Sequence, residues 1–181
     1  MSYKKAALLF GIGFLLQFSL MNLFSVLGVA PNLILSLMMF MAYKYNDGVK
    51  YAALAIPFAI LADVAGGQYA GVGAMSLLVL LVAISFFGRN LNRDTLWTLL
   101  AVSTGGTAIY YFFTWLIMSV LGNPATMLGL LRFLFIALPM NLIAVLLINQ
   151  VYRRGHRRSV RPTGYAIVDM GMRTKKQNKK M

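Results

Sequence analysis

Asp63 and Arg132 are the two residues from which any intramembrane chemistry would have to start. The chain holds four acidic residues, all aspartates, against 17 Lys or Arg. Asp63 lies in ILADVAGGQYAGVGA, where its neighbours are apolar or glycine. A charge there costs on the order of 3 kcal/mol if it is unpaired near the centre of a bilayer. General acid–base hydrolysis asks for two carboxylates facing one substrate, and Asp63 is the only acid within an apolar run. Asp47 and Asp94 stand beside Lys44, Lys50 and Arg93, where they soften local positive charge. A serine nucleophile needs a base, and the apolar runs offer neither histidine nor lysine for that role. With no cysteine, disulfides, thiolate metal sites and thiol nucleophiles are excluded. The single histidine, His156, sits among arginines that repel a divalent cation, so no metal site and no cofactor are expected. Gly11-Ile12-Gly13 follows no strand and reads as a packing feature rather than a nucleotide loop. These residues point away from an enzyme.

The elements that position them follow from hydropathy. The chain is 60% hydrophobic and 12% charged, with a mean hydropathy of +0.74. A soluble domain of 181 residues cannot hide that much apolar surface. About 20 apolar residues cross a bilayer as helix, and six such stretches are expected. They run at about 6–28, 31–45, 49–66, 71–88, 95–121 and 127–152. The first follows Lys4 and Lys5 but is too long for a signal-peptide core, so a retained helix is expected. The second opens on Pro31, harmless in a first helical turn, and Tyr43, Lys44 and Tyr45 would anchor its end. Pro57 should kink the third, and Gly105-Gly106 should bend the fifth. The expected fold is an all-α integral membrane protein, with a six-helix domain over 1–152 and a basic tail over 153–181.

Charge orients the helices. Lys4, Lys5, Lys44, Lys50, Arg89, Arg93 and ten basic residues after the sixth helix alternate with three uncharged connections. The positive-inside rule makes the basic side cytoplasmic and places both termini there. Arg132 alone falls within a span, at a depth similar to that of Asp63. Opposite charges at similar depth predict a pair or a shared polar network; the alternative partner for Asp63 is a backbone amide of the Gly66–Gly73 turn or a residue on a partner protein. Ala52, Ala55, Ala59, Ala62 and Gly66 recur on one face of the third helix, the small-residue pattern of close helix approach, which turns Asp63 into the bundle. Gly66, Gly67, Gly71 and Gly73 predict a tight turn after it. Methionines such as Met38, Met39 and Met41 read as adaptable packing residues. Trp97 and Trp115 fit interfacial aromatic belts. Gln17, Asn22, Asn32, Asn141 and Asn149 are expected to hydrogen-bond between helices.

Several of these residues together resemble the rod shape-determining MreD family of bacteria. Pro31-Asn32-Leu33 opens an early helix in PNLILSLMMFMAYKY. Asp63-Val64 ends a small-residue helix and is followed by Gly66, Gly71 and an apolar helix; the family more often has leucine after the aspartate. Asn141 in LPMNLIAVLL resembles an asparagine of the family's last helix. The likeness spans about 31–152. It implies a multi-pass subunit of the bacterial cytoplasmic membrane, acting in cell elongation. The implied partners are MreC, the MreB filament and the peptidoglycan synthases. It also implies a fold similar to the substrate-binding subunits of energy-coupling factor transporters.

The tail opens with Arg153, Arg154, Arg157 and Arg158, which are expected to hold anionic lipid headgroups at about 1 kcal/mol each. No aromatic stacking platform accompanies the charge, so nucleic acid is not an expected partner. The apolar patch at 165–168, Tyr165-Ala166-Ile167-Val168, could dock on a cytoplasmic partner. Two functions are open from sequence: a non-catalytic scaffold, or a solute-binding subunit of an energy-coupling factor type transporter. The second requires several convergent polar groups around a pocket. Few are visible in the sequence, which favours the scaffold.

Overall fold

A computed structural model of the chain describes residues 2–20, 28–45, 48–67, 69–87, 95–123 and 126–159. Among these residues the secondary structure is helical: α1 (Tyr3–Leu20), α2 (Leu33–Lys44), α3 (Gly48–Ala52), α4 (Ala55–Ala65), α5 (Val72–Phe87), α6 (Leu96–Val120) and α7 (Met127–Ser159). Among the described residues three stretches are long and apolar enough to cross a membrane: Gly48–Ala65, Leu96–Val120 and Met127–Arg154. α2 and α5 are shorter apolar helices. The chain divides into two compact units, Met1–Ile148 and Asn149–Met181. In the second, the described residues are the last turns of α7, with Arg153 and Arg154 exposed. The tail patch at 165–168 lies outside the described residues.

Within the first unit α2 is central. Every residue from Ile34 to Tyr43 is buried, so this helix has no lipid-facing side. Its 12 residues extend only about 18 Å, well short of a hydrocarbon core of about 30 Å. Other helices therefore sheathe it. α1 supplies one wall, turning Ala6, Phe10, Gly13 and Gln17 inward at helical spacing while Leu8, Leu15 and Leu16 are exposed. Gly11 and Gly13 are contact points: a Cβ on Gly13 would fall 2.5 Å from Leu37 Cδ1, and one on Gly11 would sit 3.8 Å from the Phe58 ring. Lipid tails are as apolar as leucine, so such close packing rather than water exclusion holds membrane helices together. Met38, Met39 and Met41 are fully buried in this core, as packing residues should be.

Two expected irregularities have a different form. Pro57 does not kink its helix in place; the break falls at Ala53 and Leu54, between α3 and α4. Proline lacks an N–H, and its ring crowds the carbonyl four residues back, which here belongs to Ala53. That carbonyl instead accepts a tighter bond from the Ile56 N–H at 3.2 Å. α6, in turn, runs unbroken through Gly105 and Gly106. Gly106 is there for proximity: a Cβ would lie 2.6 Å from Met39 Sδ and 3.4 Å from Leu80 Cδ1. It lets α6 close on both α2 and α5.

Tyr43 is also placed differently from expectation. It is buried, and its hydroxyl donates to the Thr95 carbonyl at 2.9 Å. It ties the end of α2 to the start of α6 rather than anchoring at an interface. On α4, Ala55, Ala59 and Asp63 are buried on one face, continuing the line begun by Ala52 in α3. This is the small-residue face, and it turns Asp63 inward as the spacing predicts.

Candidate functional site: two capped helix starts around a polar cavity

A helix leaves the N–H groups of its first turn without intrahelical acceptors, and inside an apolar bundle no water is at hand to take them. α2 and α5 both face this problem. Their starts are the centre of the candidate site.

At α2, Asn32 is the N-cap, and its Oδ1 accepts from the Leu35 N–H at 3.0 Å. Gln17 reaches across from α1, and its Oε1 accepts from the Leu33 and Ile34 N–H groups at 3.0 and 3.3 Å. The N–H of Asn32 itself donates to Asn141 Oδ1 from α7 at 2.8 Å. Three amide side chains thus satisfy four consecutive backbone donors. Asn141 is completely buried, and with its oxygen committed, its Nδ2 has no hydrogen-bond partner among the described groups.

At α5, a single carboxylate does this work. Asp63 comes from the end of α4, and its Oδ2 accepts from the Gly71 N–H at 3.1 Å and the Gly73 N–H at 2.9 Å. Gly71 has φ +94°, a left-handed conformation that suits glycine and aims its N–H back at α4. Gly73 is required for another reason. A Cβ there would fall 2.6 Å from Asp63 Oδ1 and 3.0 Å from the Tyr110 hydroxyl. The positive end of the α5 dipole reinforces the bond, since an anion is stabilised at a helix N-terminus.

The expected ion pair with Arg132 is not formed. Arg132 is exposed, and no ion pair joins it to Asp63 among the described residues. The backbone amides of α5 take the place of a cation. Arg132 lies five residues into α7, about 7.5 Å along the axis, within reach of the nearby helix end for a long, flexible side chain. Gly66 does not bond to Asp63 either; its N–H closes α4 onto the Ala62 carbonyl at 2.8 Å. Pro31 precedes the Asn32 cap and is half-buried.

The two caps are neighbours. The Tyr110 hydroxyl from α6 lies 3.4 Å from Asn32 Nδ2 on one side and faces Gly73 and Asp63 on the other. Tyr111 beside it faces Asn141. One turn on, Thr114 Oγ1 lies 2.9 Å from Ser76 Oγ, linking α6 to α5. Above these groups is a cavity of about 660 Å³, lined by Gln17, Asn32, Asp63, Tyr110, Tyr111, Thr114 and Trp115 among others. Its walls come from the last turns of α1, α4 and α6 and the first turns of α2 and α7. The shortness of α2 is what leaves room for it: the helix starts deep, and its capped end forms part of the floor.

Sequence reasoning underestimated this region. Tyr110, Tyr111, Thr114 and Ser76 were not among its candidates, and Trp115, read as a belt residue, lines the cavity. The available signal was the pair of tyrosines in IYYFFTW, two hydroxyls within a span where Phe would satisfy hydropathy equally well. The pocket-like polar groups that seemed few are therefore several, and they converge. No family model matches the chain, and no match was found among curated proteins or solved structures.

Proposed function

We propose that the chain is a non-catalytic scaffold in the bacterial cytoplasmic membrane, an MreD-like subunit of the cell-elongation machinery. It binds the single-span protein MreC and helps to couple MreB filaments to peptidoglycan synthesis. The supporting observation is convergence. Asn32, Asp63, Gly71 and Asn141 carry the resemblance to that family, and they are spread over more than 100 positions of sequence. They meet around two adjoining helix starts. A built polar cluster of this kind fixes the helix register that a binding surface depends on.

In this proposal α1, α2 together with the extended residues 28–32 before it, α3 with α4, α5, α6 and α7 make six passes, with both termini cytoplasmic and the cavity toward the outer face. The cavity-lining helix ends fit that alternation, since α1, α4 and α6 finish where α2 and α7 begin. Arg153 and Arg154, with Arg157 and Arg158, hold anionic lipid on the cytoplasmic side. Cross-linking in native membranes, followed by purification and identification of bound proteins, tests the scaffold directly. Recovery of MreC is the expected result; its absence, with other membrane proteins captured normally, would overturn the proposal. Labelling a Gln68→Cys variant tests the orientation, and reaction only from the cytoplasmic side would contradict it.

A second reading is favoured by one observation, the cavity of about 660 Å³ with its convergent polar groups. Sites for small molecules span about 300–1,000 Å³, with apolar walls and a few placed polar groups. On that reading the chain is a solute-binding membrane subunit of the energy-coupling factor type.

A further inference from the structure

We infer that the cavity is a binding site for an organic ammonium or guanidinium ion with an apolar body. The inference deepens the solute-binding reading, but it rests on the charge and walls of the cavity. Among the described residues, Asp63 is the only lining side chain with a formal charge. The hydrogen bonds it accepts from Gly71 and Gly73 come from backbone N–H groups, which stabilise the carboxylate but leave its net charge in place. An anion held in a low-dielectric bundle without a counter-charge favours the entry of a cation and disfavours a second anion. The walls agree with that sign. Phe18, Tyr110, Tyr111, Trp115 and Phe133 surround the space, and aromatic faces attract ammonium and guanidinium groups. Among the described residues no basic side chain lines the space to meet a phosphate or a carboxylate.

The cation can arrive as a free amine or as a Lys or Arg side chain on a partner's membrane helix, and two arms of one experiment separate these sources. The full chain in nanodiscs of neutral phosphatidylcholine is titrated with phenethylamine, with phenethyl alcohol and with phenylacetate while thermal unfolding is followed. The amine should raise the unfolding temperature saturably, whereas the alcohol and the acid should not. Asp63→Asn should weaken the amine response about tenfold, a change equivalent to one lost charge interaction. Ala62→Leu, which fills part of the cavity and leaves every capping side chain in the sequence, should abolish it, so the test survives a poorly folding Asp63 variant. In the second arm, a membrane-spanning peptide with one central Lys competes with the amine, and its Gln counterpart is the control. Displacement by the Lys peptide alone assigns the site to a partner's side chain; no displacement by either assigns it to a free solute. An equal response to amine and alcohol, or no response to the amine, overturns the inference. MreC capture is a separate readout, so either proposal can fail without the other.

Discussion

Helices α2 and α5 both begin inside the bundle with backbone donors to satisfy, and they do so with opposite chemistry. The α2 start is neutral and distributed: Gln17, Asn32 and Asn141, from three different segments, share four N–H groups. The α5 start is charged and concentrated, since one oxygen of Asp63 takes two of its N–H groups. A distributed cap loses at most half of its bonds when one member is removed, because the others stay in place. A concentrated cap fails as a unit. The difference also explains the glycines. The neutral cap tolerates ordinary residues around it, whereas the carboxylate must sit against the backbone of α5, which is where Gly73 leaves space.

The largest effect should therefore come from Asp63→Ala, which leaves the Gly71 and Gly73 N–H groups without an acceptor. Each buried donor so exposed costs about 1–3 kcal/mol, so a loss of roughly 3 kcal/mol is expected in detergent unfolding. Asp63→Asn retains an oxygen acceptor and should lose about half as much. If Asp63→Ala unfolds at the wild-type temperature, the concentrated cap is not a stabilising element.

Gly73→Ala comes next. The added methyl meets Asp63 Oδ1 and the Tyr110 hydroxyl, and overpacking of this kind costs about 1–3 kcal/mol. Gly71→Ala, with open space around its Cβ, should suffer only from its positive φ. A Gly73→Ala protein as stable as wild type would mean that the carboxylate has room to move.

On the neutral side, Asn141→Leu leaves one N–H, that of Asn32, without an acceptor and should cost about 1 kcal/mol, whereas Gln17→Leu leaves those of Leu33 and Ile34 and should cost about 2 kcal/mol. Chemical denaturation of the two single variants checks this. A loss at either site as large as that of Asp63→Ala would erase the contrast between the caps.

What could be read from the sequence follows the same division. Asp63 stood out because a charge in an apolar run demands an explanation, and the alanine spacing of α4 gave its direction. Its first-choice partner was a side chain because side chains are visible in a sequence and free backbone N–H groups are not; the alternative, an amide of the Gly66–Gly73 turn, is the one found. A lone opposite charge, Arg132, was the obvious candidate, while the real acceptor-seeking groups were amides of an ordinary Gly-rich turn. The helical class and membrane character were legible from hydropathy. The break between α3 and α4 was legible in kind from Pro57 but not in place, since the crowded carbonyl lies four residues before it. The members of the neutral cap were legible singly, since Gln17, Asn32 and Asn141 are polar residues in apolar runs that should bond between helices. Their convergence on one helix start was not, because Gln17 and Asn141 are 124 positions apart. Only the packing of α1 and α7 against the buried start of α2 brings them together.

The central claim is that Asp63 is held by the start of α5 and not by Arg132, and a pair of double-mutant cycles tests it most directly. Stabilities are measured for Asp63→Ala, Arg132→Ala, Gly73→Ala and the two doubles that contain Asp63→Ala. Arg132→Ala alone should change stability by less than about 0.5 kcal/mol, and its effect should add to that of Asp63→Ala within about the same margin. Gly73→Ala should not add, because the methyl it introduces has space once the carboxylate is gone; a coupling of about 1 kcal/mol or more is expected there. Coupling of that size between Asp63 and Arg132, with additivity between Asp63 and Gly73, would contradict the account.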